Sequence, residues 1–219
     1  MLSHAGFELH LSDQALQACL QYCNIAFLFA PHFHKALQHV RHARQQLGIR
    51  TFFNLIGPLI NPARVKKHVV GVFSKHWMEP IAHVLAELGS ERALIIHAND
   101  GLDEISISAK TEVIEYHRGL FKHWTLDPKE YGCYHPTLDA IVIDSPEKSL
   151  LLAQSVFTGE KGPARDIVLL NSASAIYCAE TCSFQEAIDK AAVAIDSGKA
   201  YQCFNQLRSL TQSLKAQHG

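Results

Sequence analysis

Between residues 68 and 97 the sequence runs through three segments of different period. His68-Val-Val-Gly-Val-Phe-Ser74 is a short β-branched run, and Arg92-Ala-Leu-Ile-Ile-His97 is another apolar run. Between them Trp77, Ile81, Val84, Leu85 and Leu88 form a helical stripe that Gly89 closes. A strand, a helix and a strand at these spacings fit a right-handed parallel crossover, which confines the chain to the α/β class.

The flanking segments extend that pattern. Thr111-Glu-Val-Ile-Glu-Tyr116 and Phe121-Lys-His-Trp-Thr-Leu126 lie either side of His117-Arg-Gly-Leu120 and read as a hairpin added to the sheet. Helices are expected over 147–158, 165–179, 184–197 and about 199–215. The second of these is apolar nearly all round, through Ile167, Val168, Leu169, Leu170, Ala173, Ala175 and Ile176, so burial is expected. Upstream, a helix over 12–22 has Ser12 or Asp13 to cap it, and another is expected from His34 to Leu47, ended by Gly48. The expected architecture is a mostly parallel sheet flanked by helices, with residues 1–50 as part of a helical domain and residues 51–219 as the α/β domain.

At 219 residues such a chain can bury a substantial core. A formal net charge of -1 gives no bulk electrostatic reason to expect a nucleic-acid or membrane partner. No apolar run approaches the roughly 18 residues of a membrane-spanning helix. The N-terminal residues lack a basic region followed by an apolar stretch, so a cytoplasmic location is expected. The six cysteines, at 19, 23, 133, 178, 182 and 203, include two pairs on helical spacing, which favours buried reduced thiols over a zinc site. Of the 14 histidines, His39 and His42 would be neighbours on the early helix, where solvated or hydrogen-bonded roles are favoured over a metal pair.

Chemistry concentrates at two places. Asn99-Asp-Gly-Leu-Asp-Glu-Ile-Ser-Ile-Ser108 sets three carboxylates directly behind a strand, where ligands of open α/β sheets gather. Asp103 and Glu104 offer hard oxygen donors suited to Mg2+ rather than zinc, while a solvated turn is the alternative and Asp100-Gly101 is ordinary turn chemistry. Arg41, Arg44 and Arg50 lead into Thr51-Phe-Phe-Asn54 and the loop Gly57-Pro-Leu-Ile-Asn-Pro62. A guanidinium there suits a carboxylate, and Asn54 with the Gly57 amide suits an aromatic acid or phosphate, the alternative being solvated arginines on a helix face. Asn171, inside an apolar helix, is expected to satisfy a backbone carbonyl. No nucleophile with a partnering base is evident, and no catalytic residue is assigned.

Several long strings together resemble one family. They are Phe29-Ala-Pro-His-Phe-His34, His39 through Pro62, Val69-Val-Gly-Val72 and Asp100-Gly-Leu-Asp-Glu-Ile-Ser106, followed by Thr125-Leu-Asp-Pro128, Tyr131-Gly132, Gly162-Pro163, Arg165-Asp166, Leu170-Asn171 and Ala194-Ile-Asp-Ser-Gly198. In this order they are similar to the anthranilate phosphoribosyltransferases. The resemblance runs from about residue 7 to residue 210. It implies transfer of phosphoribose from phosphoribosyl pyrophosphate to the amine of anthranilate, in tryptophan biosynthesis; a homodimer is the expected assembly, from apolar helix and sheet surfaces that the missing upstream segment would cover. By the same resemblance Asp103 and Glu104 hold Mg2+ on the pyrophosphate, Arg44 contacts anthranilate, and His34 and Gly57 line its channel. The family pattern also includes an upstream helical segment, a strand with a Gly-Thr-Gly-Gly-Asp loop that cradles pyrophosphate, and a Lys-His-Gly-Asn stretch, none of which occurs in this sequence. Ile60 and Lys35 replace a common threonine and proline. The expectation is therefore a truncated or split chain of that enzyme. The alternatives are a non-catalytic remnant or interaction module that keeps the fold, and a relative of the pyrimidine nucleoside phosphorylases.

Overall fold

The computed structural model describes residues 1–33 and 53–216. The helix expected over 34–47 lies outside the described residues, and with it His34 and Arg44.

Two compact units divide the chain: Met1–Thr51, Ile143–Thr158 and Ile195–Gly219 form one, and Phe52–Val142 with Gly159–Ala194 form the other. The boundary expected after residue 50 is thus one of several crossings. Residues 143–158 and 195–219, expected within the α/β domain, group with the N-terminal helices instead.

In the helical unit, α1 (Asp13–Cys23) starts where the Ser12 hydroxyl accepts the Ala15 N–H. It ends at Asn24 in the left-handed region, a conformation asparagine tolerates. A short α2 (Ala30–Phe33) follows. The buried stripe of α1, Leu16, Cys19 and Cys23, joins Phe7 and Leu11 in one cluster that also takes Leu150 and the apolar side of the last helix, at Phe204, Leu207, Leu210 and Leu214. Phe7 meets Phe204 edge to face with centroids 4.9 Å apart. Apolar stripes on the late helices are satisfied by the first helix, which is why these segments part from the sheet.

The α/β unit begins with α3 (Phe53–Leu59), so the stretch from Gly57, read as loop, starts as helix. Pro58 lies inside it and cannot donate the N–H of a helical hydrogen bond, and the helix ends one residue later. Strand β1 (Lys67–Gly71) pairs parallel with β2 (Arg92–Ala98) across the crossover helix α4 (Met78–Glu87). The expected mostly parallel sheet is in fact mixed. β2 pairs antiparallel with β3 (Thr111–His117), and β3 antiparallel with β4 (Leu120–Leu126), in the order β1-β2-β3-β4. The cause is the connection after β2, which returns the chain beside that strand with no helical crossover. The hairpin turns at Arg118 and Gly119, both at positive φ (48° and 90°), the geometry that matches the twist of a two-residue turn.

β2 is covered on both faces, which explains its unbroken apolar run. Ala93 and Ile95 face Val70, Val72, Ile114 and the α4 residues Met78, Ile81, Ala82 and Leu85. Leu94 and Ile96 face Ile105, Ile107, Val113 and Leu126, with Leu170 and Ala173 of α6 (Pro163–Ala179) and Phe184, Ala187 and Ile188 of α7 (Phe184–Asp196). The α4 stripe is rotated from its expected position: Val84 and Leu88 are exposed, and Met78 and Ala82 are buried in their place. α6 is not buried all round either. Val168 and Ala175 lie on its exposed side, because the sheet covers one face only. α5 (Pro146–Phe157) and α8 (Lys199–Ala216) complete the order.

The acidic loop as candidate functional site

The segment following β2 carries the acidic residues and is tied down at several backbone positions. The Ala98 N–H donates to the Leu102 carbonyl at 3.0 Å, and the Gly101 N–H to the Ala98 carbonyl at 2.9 Å. Asp100 is the organising carboxylate. It accepts from the Ser106 hydroxyl at 2.5 Å, the Ser108 hydroxyl at 2.7 Å and the Leu102 N–H at 3.3 Å. Burial pushes this carboxyl up, but the two hydroxyls and the backbone N–H outweigh it and hold it below the ordinary aspartate value. The Ser106 N–H is taken by the Thr111 hydroxyl at 3.2 Å, with Ser106 and Thr111 wholly buried. Asp100 thus shapes the loop, as expected of it.

Asp103 and Glu104 behave differently. Both are exposed, and among the described residues neither carboxylate has a hydrogen-bond or ion-pair partner. The backbone around them is nevertheless held from two sides. On one side is Gly71, the last residue of β1: a Cβ built there would stand 1.6 Å from the Asp103 carbonyl oxygen. On the other side is Asn171 of α6. Its Oδ1 accepts the Ile105 N–H at 2.9 Å, while its Nδ2 donates to the Ile105 carbonyl and to the Ile167 carbonyl, each at 2.9 Å. Asn171 therefore satisfies two carbonyls and one N–H, more than the single carbonyl expected.

Further along, the His135 N–H donates to the Ile107 carbonyl at 2.8 Å, and its Nε2 donates to Asp166 at 2.7 Å. His97 Nδ1 donates to the Val72 carbonyl at 2.9 Å. The strand ends and the loop are thereby joined by side chains from separate parts of the unit.

Two free, adjacent carboxylates on a fixed backbone suit a hard cation that keeps most of its coordination for water and phosphate oxygens, as Mg2+ does. Among the described residues no group of three or more His, Cys, Asp and Glu side chains is placed to hold a metal. The donor set therefore fits a cation shared with a phosphorylated ligand and does not fit an all-protein cage. Asp103 and Glu104 would be the residues to hold it.

Gly57 sits half-buried within α3, with open space around it. His34 and Arg44 are outside the described residues. Gly71 and Asn171 are the contributors whose role at this loop was missed. The signal for Gly71 was present in the sequence, since a glycine inside Val69-Val-Gly-Val72 marks close backbone approach.

A strand end carrying acidic oxygens, on a sheet covered by helices on both faces, places the protein among α/β proteins that bind ligands at the ends of their strands. The chain belongs to the glycosyl transferase family, a/b domain, whose model matches residues 1–201. It is 64% identical over 98% of its length to the anthranilate phosphoribosyltransferase of Legionella pneumophila (strain Paris), and 42% identical over 97% to that of Thioalkalivibrio sulfidiphilus. It spans 62% and 63% of those two proteins. Among solved structures, the anthranilate phosphoribosyltransferase of Thermus thermophilus superposes with a TM-score of 0.87 at 34% identity, covering 96% of this chain and 63% of that one. The Saccharomyces cerevisiae enzyme in complex with PRPP and Mg does so with a TM-score of 0.87 at 29% identity, covering 97% and 62%.

Proposed function

We propose that this chain carries the acidic half of an anthranilate phosphoribosyltransferase site, acting in transfer of phosphoribose from phosphoribosyl pyrophosphate to anthranilate in tryptophan biosynthesis. The observation that carries this reading is the 64% identity maintained over 98% of the chain. In the reaction a bond forms between the anthranilate nitrogen and the anomeric carbon as the bond from that carbon to pyrophosphate breaks, and the nitrogen gives up a proton. Charge grows on the leaving pyrophosphate, so interactions that strengthen with that charge favour the transition state over the ground state. Asp103 and Glu104 would hold Mg2+, which would supply positive charge to offset the negative charge developing on the leaving group. Arg44 grips the anthranilate carboxylate and turns its amine toward the anomeric carbon, with His34 and Gly57 along the channel. No covalent nucleophile is needed.

The same reading takes the working form to be a cytoplasmic homodimer. Leu20, Tyr22, Ile25 and Phe27, all exposed in the helical unit, support an association surface there. No single helix among the described residues is long and apolar enough to cross a membrane.

The test is formation of phosphoribosyl anthranilate from anthranilate, phosphoribosyl pyrophosphate and Mg2+ by this chain, with the remaining part of the Legionella relative supplied as a separate polypeptide. Product that disappears with the double substitution D103N/E104Q is expected. A folded mixture that yields none above background counts against the reading.

A further inference from the structure

We propose that Asn171 is a positioning residue for the acidic pair, acting through the backbone of Ile105 to set where Asp103 and Glu104 present their carboxylates. The inference rests on the reading of those two side chains as metal ligands and extends it to a residue with no part in that chemistry itself.

The geometry is specific. A carboxamide can accept twice at its oxygen and donate twice at its nitrogen, and here three of those four capacities are used, including both donors. Two of them clasp the N–H and the carbonyl of one residue, Ile105, as a neighbouring strand would. The third returns to Ile167, one helical turn earlier on α6, and so fixes the carboxamide plane. Ile105 directly follows Glu104 and is itself 1% exposed, so its backbone has no freedom to drift. With Gly71 pressed against the Asp103 carbonyl on the other side, the acidic dipeptide is a short span between two anchors. Exposed carboxylates on a mobile loop would lose conformational freedom on closing around a cation, and anchoring the backbone beforehand removes part of that cost.

Among the described residues no other side chain can replace the clasp. Ser106 and Ser108 tie the loop to Asp100, on its other arm, and leave the backbone groups of Ile105 to Asn171 alone.

The test is a titration of Mn2+ with equimolar inorganic pyrophosphate, followed by paramagnetic broadening of the Asp103, Glu104 and Ile105 amide resonances. Wild type is compared with N171A, with D103N/E104Q, and with L170A as a control. Leu170 is fully buried on the same helix, and its truncation lowers stability without touching the clasp. Below the unfolding range of every variant, N171A is expected to shift the titration midpoint by roughly 10-fold or more, the scale on which groups supporting metal ligands act. L170A is expected to leave the midpoint within about twofold of wild type. A midpoint unchanged in N171A, or moved equally by L170A, overturns the positioning role while leaving the metal reading intact. Absence of broadening at these amides in wild type, or its persistence in D103N/E104Q, overturns the metal reading and this proposal together.

Discussion

The carbonyl oxygen of Asp103 occupies the space that a side chain on Gly71 would need, with 1.6 Å between that oxygen and the position of a Cβ. The obstacle is backbone, so no rotamer change can relieve it. Gly71→Ala is expected to destabilise the fold by about 1–3 kcal/mol, the range for overpacking a filled site. Urea unfolding measures it. A variant as stable as wild type would show that the loop shifts freely, contrary to its dense bonding.

Arg92 and Glu115 form a buried ion pair across β2 and β3, with Nη2 2.7 Å and Nε 2.9 Å from the same carboxylate oxygen. The guanidinium also donates to the Tyr177 carbonyl at 2.6 Å and the Glu180 carbonyl at 2.9 Å, and it lies 4.2 Å from the centre of the Tyr177 ring. Removing one partner leaves the other charge buried. Arg92→Met is expected to cost about 3–5 kcal/mol, and adding Glu115→Leu should recover much of that. Denaturant melts of the two single variants and the double give the coupling.

Asp100 makes the loop acid-sensitive. Its carboxyl is held below the ordinary aspartate value in the folded chain, so the unfolded chain binds its proton more readily. The stability it contributes is fully present above the unfolded value of about 4 and is lost as pH falls through the folded value. Asp100→Asn should therefore flatten the stability profile below about pH 4. Chemical melts of both proteins between neutral and acid pH check this, and parallel profiles would refute it.

Thiol accessibility should follow burial. Burial, with the Asp166 carboxylate as a second cause, pushes the Cys133 thiol up to about 11, and burial also raises Cys19, Cys23 and Cys178. A thiol raised in this way supplies little thiolate at neutral pH. Iodoacetamide is expected to label Cys182 and Cys203, which are half-buried, before the other four. Peptide mass spectrometry over a time course measures the order, and early modification of Cys133 would contradict the packing around it.

Element positions were legible because they depend on local period. The run before Gly89, the hairpin about Arg118 and Gly119, and the late helices fall within a few residues of where their patterns put them. The burial of β2 was readable from its unbroken apolar run. Sheet direction beyond β2 was harder to read, since a connecting segment can return the chain either way and apolar pattern does not specify which. The acidic loop was visible as unusual charge behind a strand, and family resemblance gave Asp103 and Glu104 a candidate chemistry.

What the sequence by itself determined is which residues are strand, helix and turn, and which sides of them are apolar, because φ/ψ preference and period act over a few neighbouring residues. The tertiary structure alone decided what covers each apolar side. It sends 143–158 and 195–219 to the first helix, turns the sheet antiparallel after β2, and brings Arg92 to Glu115. It also sets Asn171 on Ile105 across 66 positions of sequence and presses Asp103 onto Gly71. Such contacts form when packed surfaces bring distant backbone together, and no local signal states which partner a polar group will find.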